Sequence, residues 1–154
     1  MLNWLWNGND VTEDVIPENA VGFVYKIEHI PSGKYYIGKK SLQSVRNVKI
    51  GKRELQRIRE ERKLAGIRGS LPKKKKVRKS SDWQKYYSSN DWIKEQISEG
   101  KEEEFKRSVL QFCYSKKSLS YYEVHYQFKY DVLSDDNCLN GNILGKFYKK
   151  DLDN

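Results

Sequence analysis

Residues 22–40 read "GFVYKIEHIPSGKYYIGKK", and the reading of this stretch decides the fold. Two runs rich in aromatic and β-branched residues, 22–28 and 34–37, flank "HIPSG", where Pro31 and Gly33 supply turn chemistry. The pattern predicts a β-hairpin. Its second strand stops on Tyr36-Ile37-Gly38 and two lysines, Lys39 and Lys40, and the pair of strands carries three phenols, Tyr25, Tyr35 and Tyr36.

Working outward, residues 52–64 ("KRELQRIREERKL") are strong helix formers with only Leu55, Ile58 and Leu64 apolar, which predicts an exposed helix. The next stretch, "AGIRGSLPKKKKVRKSS", has two glycines, a proline and a lysine run, and predicts a mobile loop. In "DWQKYYSSNDWIKEQISEG", Asn90 or Asp91 can cap a helix that runs to Ser98 and stops at Gly100. Residues 105–113 read as a strand and 118–133 as a helix with Leu119, Tyr122, Tyr126, Tyr130 and Leu133 along one face; a short tail, "CLNGNIL", follows. This order predicts an α+β fold in one domain, 1–154, in which a small three-stranded antiparallel sheet is flanked by helices. Residues 1–20 form an N-terminal extension, and 47–80 a basic helix-plus-loop insertion.

Charge is unevenly placed. Between Lys39 and Lys79 stand 17 lysines and arginines against Glu54, Glu60 and Glu61, a net +14 in a chain of net +9, so the remainder is acidic at −5. A positive block of this kind attracts a polyanion, nucleic acid first of all. The plainer reading is a solvated charged helix with a disordered loop, and the run "PKKKKVRK" also fits a nuclear localisation signal, as any lysine-rich loop does. Aromatic residues make up 13% of the chain and argue for a real core. The N-terminus lacks the pattern of a secretory signal, and no run approaches the roughly 20 apolar residues of a membrane span. Cys113 and Cys138 have no metal-site spacing and read as reduced thiols, so the expectation is a cytoplasmic protein without a membrane partner.

Glu123 is the one carboxylate on the apolar face of the 118–133 helix. Its structural reading is a capping box, Ser120-x-x-Glu123, which would close the helix N-terminus. The tyrosines, 11 in all, read singly as amphipathic packing. Neither His29 nor His125 has metal-ligand spacing, and no phosphate-binding glycine loop or nucleophile elbow is present. Residue by residue, the chain reads only as a nucleic-acid-binding protein.

The set as a whole goes further. Val24-Tyr25, ten residues, then Tyr36-Ile37-Gly38 resembles the paired signature of the GIY-YIG nuclease superfamily, with Arg46 eight residues after the glycine, Glu123 on a later helix and Asn140 near the end. With "DWQKYYSSN" and "FKYDVL" the wording is similar to phage-encoded Seg-like proteins classed as homing endonucleases, over about residues 20–145. Phe23 stands where the first motif has glycine, and Ile50 where many members have histidine.

The resemblance implies metal-assisted hydrolysis of a DNA phosphodiester. Glu123 would hold one Mg²⁺ (or Mn²⁺) with water filling the shell, and Arg46 would offer a planar, always-charged fork to the phosphate, with Arg53 as an alternative. Tyr25 or Tyr36 would activate water, and since a free phenol titrates near pH ~10, Lys39 or Lys40 would stabilise the phenolate. Asn140 would orient a neighbour or hold a strand end. Lys49, Lys52, Arg53, Arg57, Arg59, Lys73, Lys74, Lys75, Lys76, Arg78 and Lys79 would contact phosphates of double-stranded DNA. A homodimer on the DNA is allowed and not required. The competing reading is a non-catalytic nucleic-acid-binding protein on a degenerate nuclease fold.

Overall fold

A computed structural model describes residues 2–152. The chain forms two compact units, one built from the segments up to Leu42 and from Ser81 onward, the other from Gln43 to Ser80.

The first unit is α+β. The hairpin of β3 (Gly22–His29) and β4 (Tyr35–Ser41) pairs in register from Gly22↔Ser41 to Glu28↔Tyr35, and β7 (Phe105–Cys113) pairs antiparallel on the other side of β3. These three strands are the sheet expected from the sequence. The N-terminal segment adds β1 (Leu5–Trp6), parallel to β7, and β2 (Asn9–Asp10), so the sheet has five strands in the order β2-β1-β7-β3-β4. What reads as an appendage is therefore part of the sheet.

Alternation along β3 sorts the core into two layers. Phe23, Tyr25 and Ile27 face Trp4, Trp83, Tyr87 and Ile93 on one side, while Val24 on the other meets Ile37, Leu119 and Val132. The register of β3 against β7 slips by one residue between Val24 and Tyr25. That bulge reverses the parity of β7, and so Phe105, Val109 and Phe112 all reach the first layer.

Helix α2 (Asp91–Ser98) is capped by Asn90, whose side chain accepts from the Ile93 N–H, and the chain leaves it through Gly100 at φ +80°. Helix α3 spans Lys116–Lys129 rather than 118–133. Its cap is a different one from that expected. Ser115 and Ser118 close the N-terminus reciprocally, side chain to main chain, and this places Glu123 two turns inside the helix with no capping duty. A small hairpin of β8 (Asn142–Ile143) and β9 (Phe147–Tyr148) follows.

In the second unit β5 (Gln43–Lys49) pairs with β6 (Lys74–Ser80) over seven antiparallel partners, and α1 (Lys52–Ala65) lies between them in sequence. The basic helix is where the sequence predicts it. The lysine run is not loop but strand, a correction with a plain cause: lysine has weak strand preference on its own, and the state is set by the pairing with β5, a stretch of mostly polar residues without strict alternation.

Candidate active site

The site is built around β4, an edge strand. Tyr36 and Gly38 point to the first layer, and Ile37 and Lys39 to the second. Gly38 stands opposite Tyr25 in the ladder, and a Cβ there would lie 2.6 Å from the Tyr25 hydroxyl, 2.7 Å from its Cζ and 2.9 Å from Tyr36 Cε1. Only glycine lets both rings lie against the strand. That contact is the physical reason for the tyrosine-isoleucine-glycine triplet.

Tyr25 is fully buried, with ring centroids 6.3 Å from Tyr36 and 5.9 Å from Tyr86. Burial pushes its phenol well above the ordinary value, neighbouring Tyr86 and Tyr36 push it further, and a hydrogen bond with Ser88 only partly opposes them. Tyr36 is half-buried with its hydroxyl 3.3 Å from Ser89 Oγ; burial raises it too, and so does the negative charge of Glu123. The third phenol and the two serines come from "DWQKYYSSN", which individual residue properties did not mark as a site.

Glu123 approaches from α3. Burial raises its carboxyl above the usual range, opposed by the Lys39 ammonium and by a hydrogen bond from the Lys39 main-chain N–H. Lys39 Nζ donates to Ser120 at 2.8 Å, one turn before Glu123 on the helix. Lys40 lies 2.6 Å from Asp82, whose carboxyl it pulls down, and 4.1 Å from the centroid of Tyr86. The two lysines thus act on Glu123 and Asp82. Burial holds both phenols above their ordinary value.

Asn140 is buried and works as a clamp. Its Oδ1 accepts from the Ile37 N–H at 2.9 Å, and its Nδ2 donates to the Ile37 carbonyl at 2.8 Å, as a neighbouring strand would. Gln127 on α3 donates to the same carbonyl, and Tyr35 exchanges main-chain bonds with Asn137 and Leu139. The edge between Tyr36 and Gly38 is held rigid.

Tyr25, Tyr36, Lys39, Lys40, Glu123 and Asn140 are therefore gathered around one strand. Arg46 belongs to the second unit, exposed on β5 opposite Val77, and Arg53 to α1. Lys49, Lys52, Arg57, Arg59, Lys73, Lys74, Lys75, Lys76, Arg78 and Lys79 are all exposed in that unit; Lys75 pairs with Glu54, and Arg57 lies near Glu54 and Glu61. Among the described residues no group of three or more His, Cys, Asp or Glu forms a ready-made metal cage. His29 is buried between Ser32 and Glu104, and both cysteines are buried free thiols. No helix among the described residues is long and apolar enough to cross a membrane.

A mostly antiparallel sheet thus sets, at and beside its β4 edge, two neighbouring phenols, a trapped glycine and a helix carboxylate. The family model described as "Putative endonuclease segE, GIY-YIG domain" matches residues 4–150, and the chain belongs to that GIY-YIG endonuclease family. No curated protein and no solved structure gave a significant match.

Proposed function

We propose that this protein is a divalent-metal-assisted endonuclease that hydrolyses phosphodiesters of double-stranded DNA, of the phage homing or host-DNA-directed kind. The observation that supports this reading best is Glu123: a carboxylate half-buried inside a helix, relieved of capping by Ser115 and Ser118, and set beside Tyr36. Folding does not require a charge there.

The donor set fits one hard cation. Such an ion takes oxygen ligands and keeps several waters, so a single carboxylate can anchor it, and the one hydrogen bond from the Lys39 N–H leaves lone pairs on Glu123 free. Bound there, the ion would supply charge neutralisation at a phosphate oxygen. The chain's own groups do the rest. Tyr25, locked by burial and by Gly38, positions its neighbour, and Tyr36, half-exposed on the rim, is placed to take a proton from water as the phenolate, once its own proton has passed to solvent. Arg46 would present a fixed cation to the phosphate, and Asn140 holds the strand that carries Tyr36 and Lys39.

Cleavage of supercoiled plasmid at low salt, with Mg²⁺ and with EDTA, by the protein and by Glu123→Ala tests the reading. Metal-dependent nicking or linearisation, absent from the variant, is the expected result. Binding without cutting under Mg²⁺ and Mn²⁺ would overturn catalysis.

A further inference from the structure

The geometry points to the β5–β6 ribbon as a major-groove reader of duplex DNA. This deepens the nuclease reading and rests on it for the identity of the polyanion.

Residues directly opposite in an antiparallel pair project to the same side, so the ladder divides the ribbon into two faces. One carries Arg46/Val77 and Val48/Lys75; its valines are half-buried and its Lys75 is held by Glu54 of α1. The other carries Val45/Arg78, Asn47/Lys76 and Lys49/Lys74, and all six are exposed. Among the described residues none of the four cations on that face is in an ion pair.

The second face is a poor structure for its own sake. Lys49 stands directly across from Lys74, with Lys76 and Arg78 at alternate positions beyond it, and like charges so placed destabilise a two-stranded ribbon that is already marginal. A polyanion laid along the face would remove that repulsion.

Shape narrows the polyanion's groove. Seven pairs make a ribbon about 23 Å long, and the B-form major groove, about 12 Å wide, is the one that admits a two-stranded ribbon or a helix. The helix is the weaker candidate, because Arg57 on α1 lies near two acids and Gln56 binds Glu60. On the ribbon Val45, Asn47 and Arg78 adjoin one another along the bare face, and their chemistry suits base edges: a thymine methyl, adenine and guanine respectively. Lys49, Lys74 and Lys76 beside them suit phosphates.

The test is equilibrium binding in EDTA to a mixed-sequence duplex and to the same duplex with bulky C5 substituents on its pyrimidines, which fill the major groove and leave the minor groove open. The wild-type protein should bind the substituted duplex about tenfold more weakly or worse. Asn47→Ala/Arg78→Ala should bind the plain duplex more weakly and lose the discrimination, whereas Lys63→Ala, an exposed α1 residue away from the ribbon's bare face, should keep it. Equal wild-type affinity for the two duplexes, or displacement by a minor-groove ligand instead, overturns the inference whatever the variants do. Cleavage of plain duplex in Mg²⁺ is scored alongside. Cutting with equal binding, or with none, sinks the ribbon and spares the nuclease; discrimination without cutting does the reverse; neither binding nor cutting sinks both.

Discussion

At the scale of single residues, Gly38 and Glu123 carry the sharpest tests of the candidate site. Gly38→Ala inserts a methyl into the contact with Tyr25 and Tyr36, and both rings sit in a packed layer that cannot yield freely. Overpacking of this kind costs about 1–3 kcal/mol. A lower urea midpoint together with loss of cleavage is expected; unchanged activity would mean that the ring positions do not matter. Glu123→Gln should abolish cleavage and yet raise the thermal midpoint near neutral pH. The sign follows from its carboxyl, which burial raises above the unfolded value. Between the unfolded and folded values the native state holds the extra proton, so stability falls as pH rises through that window, and above it the ionised group is a net cost that glutamine removes. On the alkaline side the raised Tyr36 phenol predicts a rate still climbing beyond pH ~8. A flat profile from neutrality upward would remove Tyr36 as the base.

At the scale of elements, legibility followed burial. The hairpin, α2 and β7 carry their own signals, in aromatic runs, the Asn90 cap and alternation, and they stand within a residue or two of their expected limits, except that β4 runs on to Ser41, four residues past its expected end at Ile37. Helix α3 was displaced because two serines upstream, Ser115 and Ser118, outcompete Ser120 for the cap, a choice made by chain geometry at the end of β7. The ribbon was illegible because it hides little apolar surface, and pairing alone makes it a strand. The six residues gathered around β4 could be named from the sequence, four by motif and the two lysines by their place after Gly38, while Tyr86 and the serines beside it depend on how 81–90 folds back on Tyr25. Asn140 sits between these cases: its position was legible, its task was not. Asn140→Ala leaves the buried Ile37 N–H without its partner, and Gln127 can reach only the carbonyl. A loss of about 1–3 kcal/mol is expected, read by urea unfolding, with cleavage falling more than DNA binding. Equal losses in both would argue against a task confined to the β4 edge.

At the scale of the whole molecule, the sheet unit owes its coherence to a residue outside every motif. Arg107 on β7 is 2% exposed, and its guanidinium donates to the Gln84 and Tyr86 carbonyls and to that of Leu2. It lies 4.8 Å from the Trp4 ring and 4.1 Å from the Tyr87 ring. One side chain thereby ties the N-terminal segment and the 81–88 segment to the central sheet, and the charge of Glu102 partly offsets the cost of burying its cation. By contrast the second unit enters and leaves at one point, where the Ser81 N–H meets the Leu42 carbonyl at 2.9 Å. Two variants should therefore behave oppositely. Arg107→Met strips three carbonyls of their donor and should cost on the order of 3 kcal/mol, although no functional motif is touched. Replacing 43–80 with Asn-Gly between Leu42 and Ser81 removes 15 cations and three acids, taking the formal charge from +9 to −3, and should leave a unit that unfolds cooperatively with an intact near-ultraviolet signal. DNA binding and cleavage should vanish in the excised protein. If it fails to fold, the sheet unit needs its basic insertion for stability, and the separation of scaffold from DNA-gripping arm is wrong.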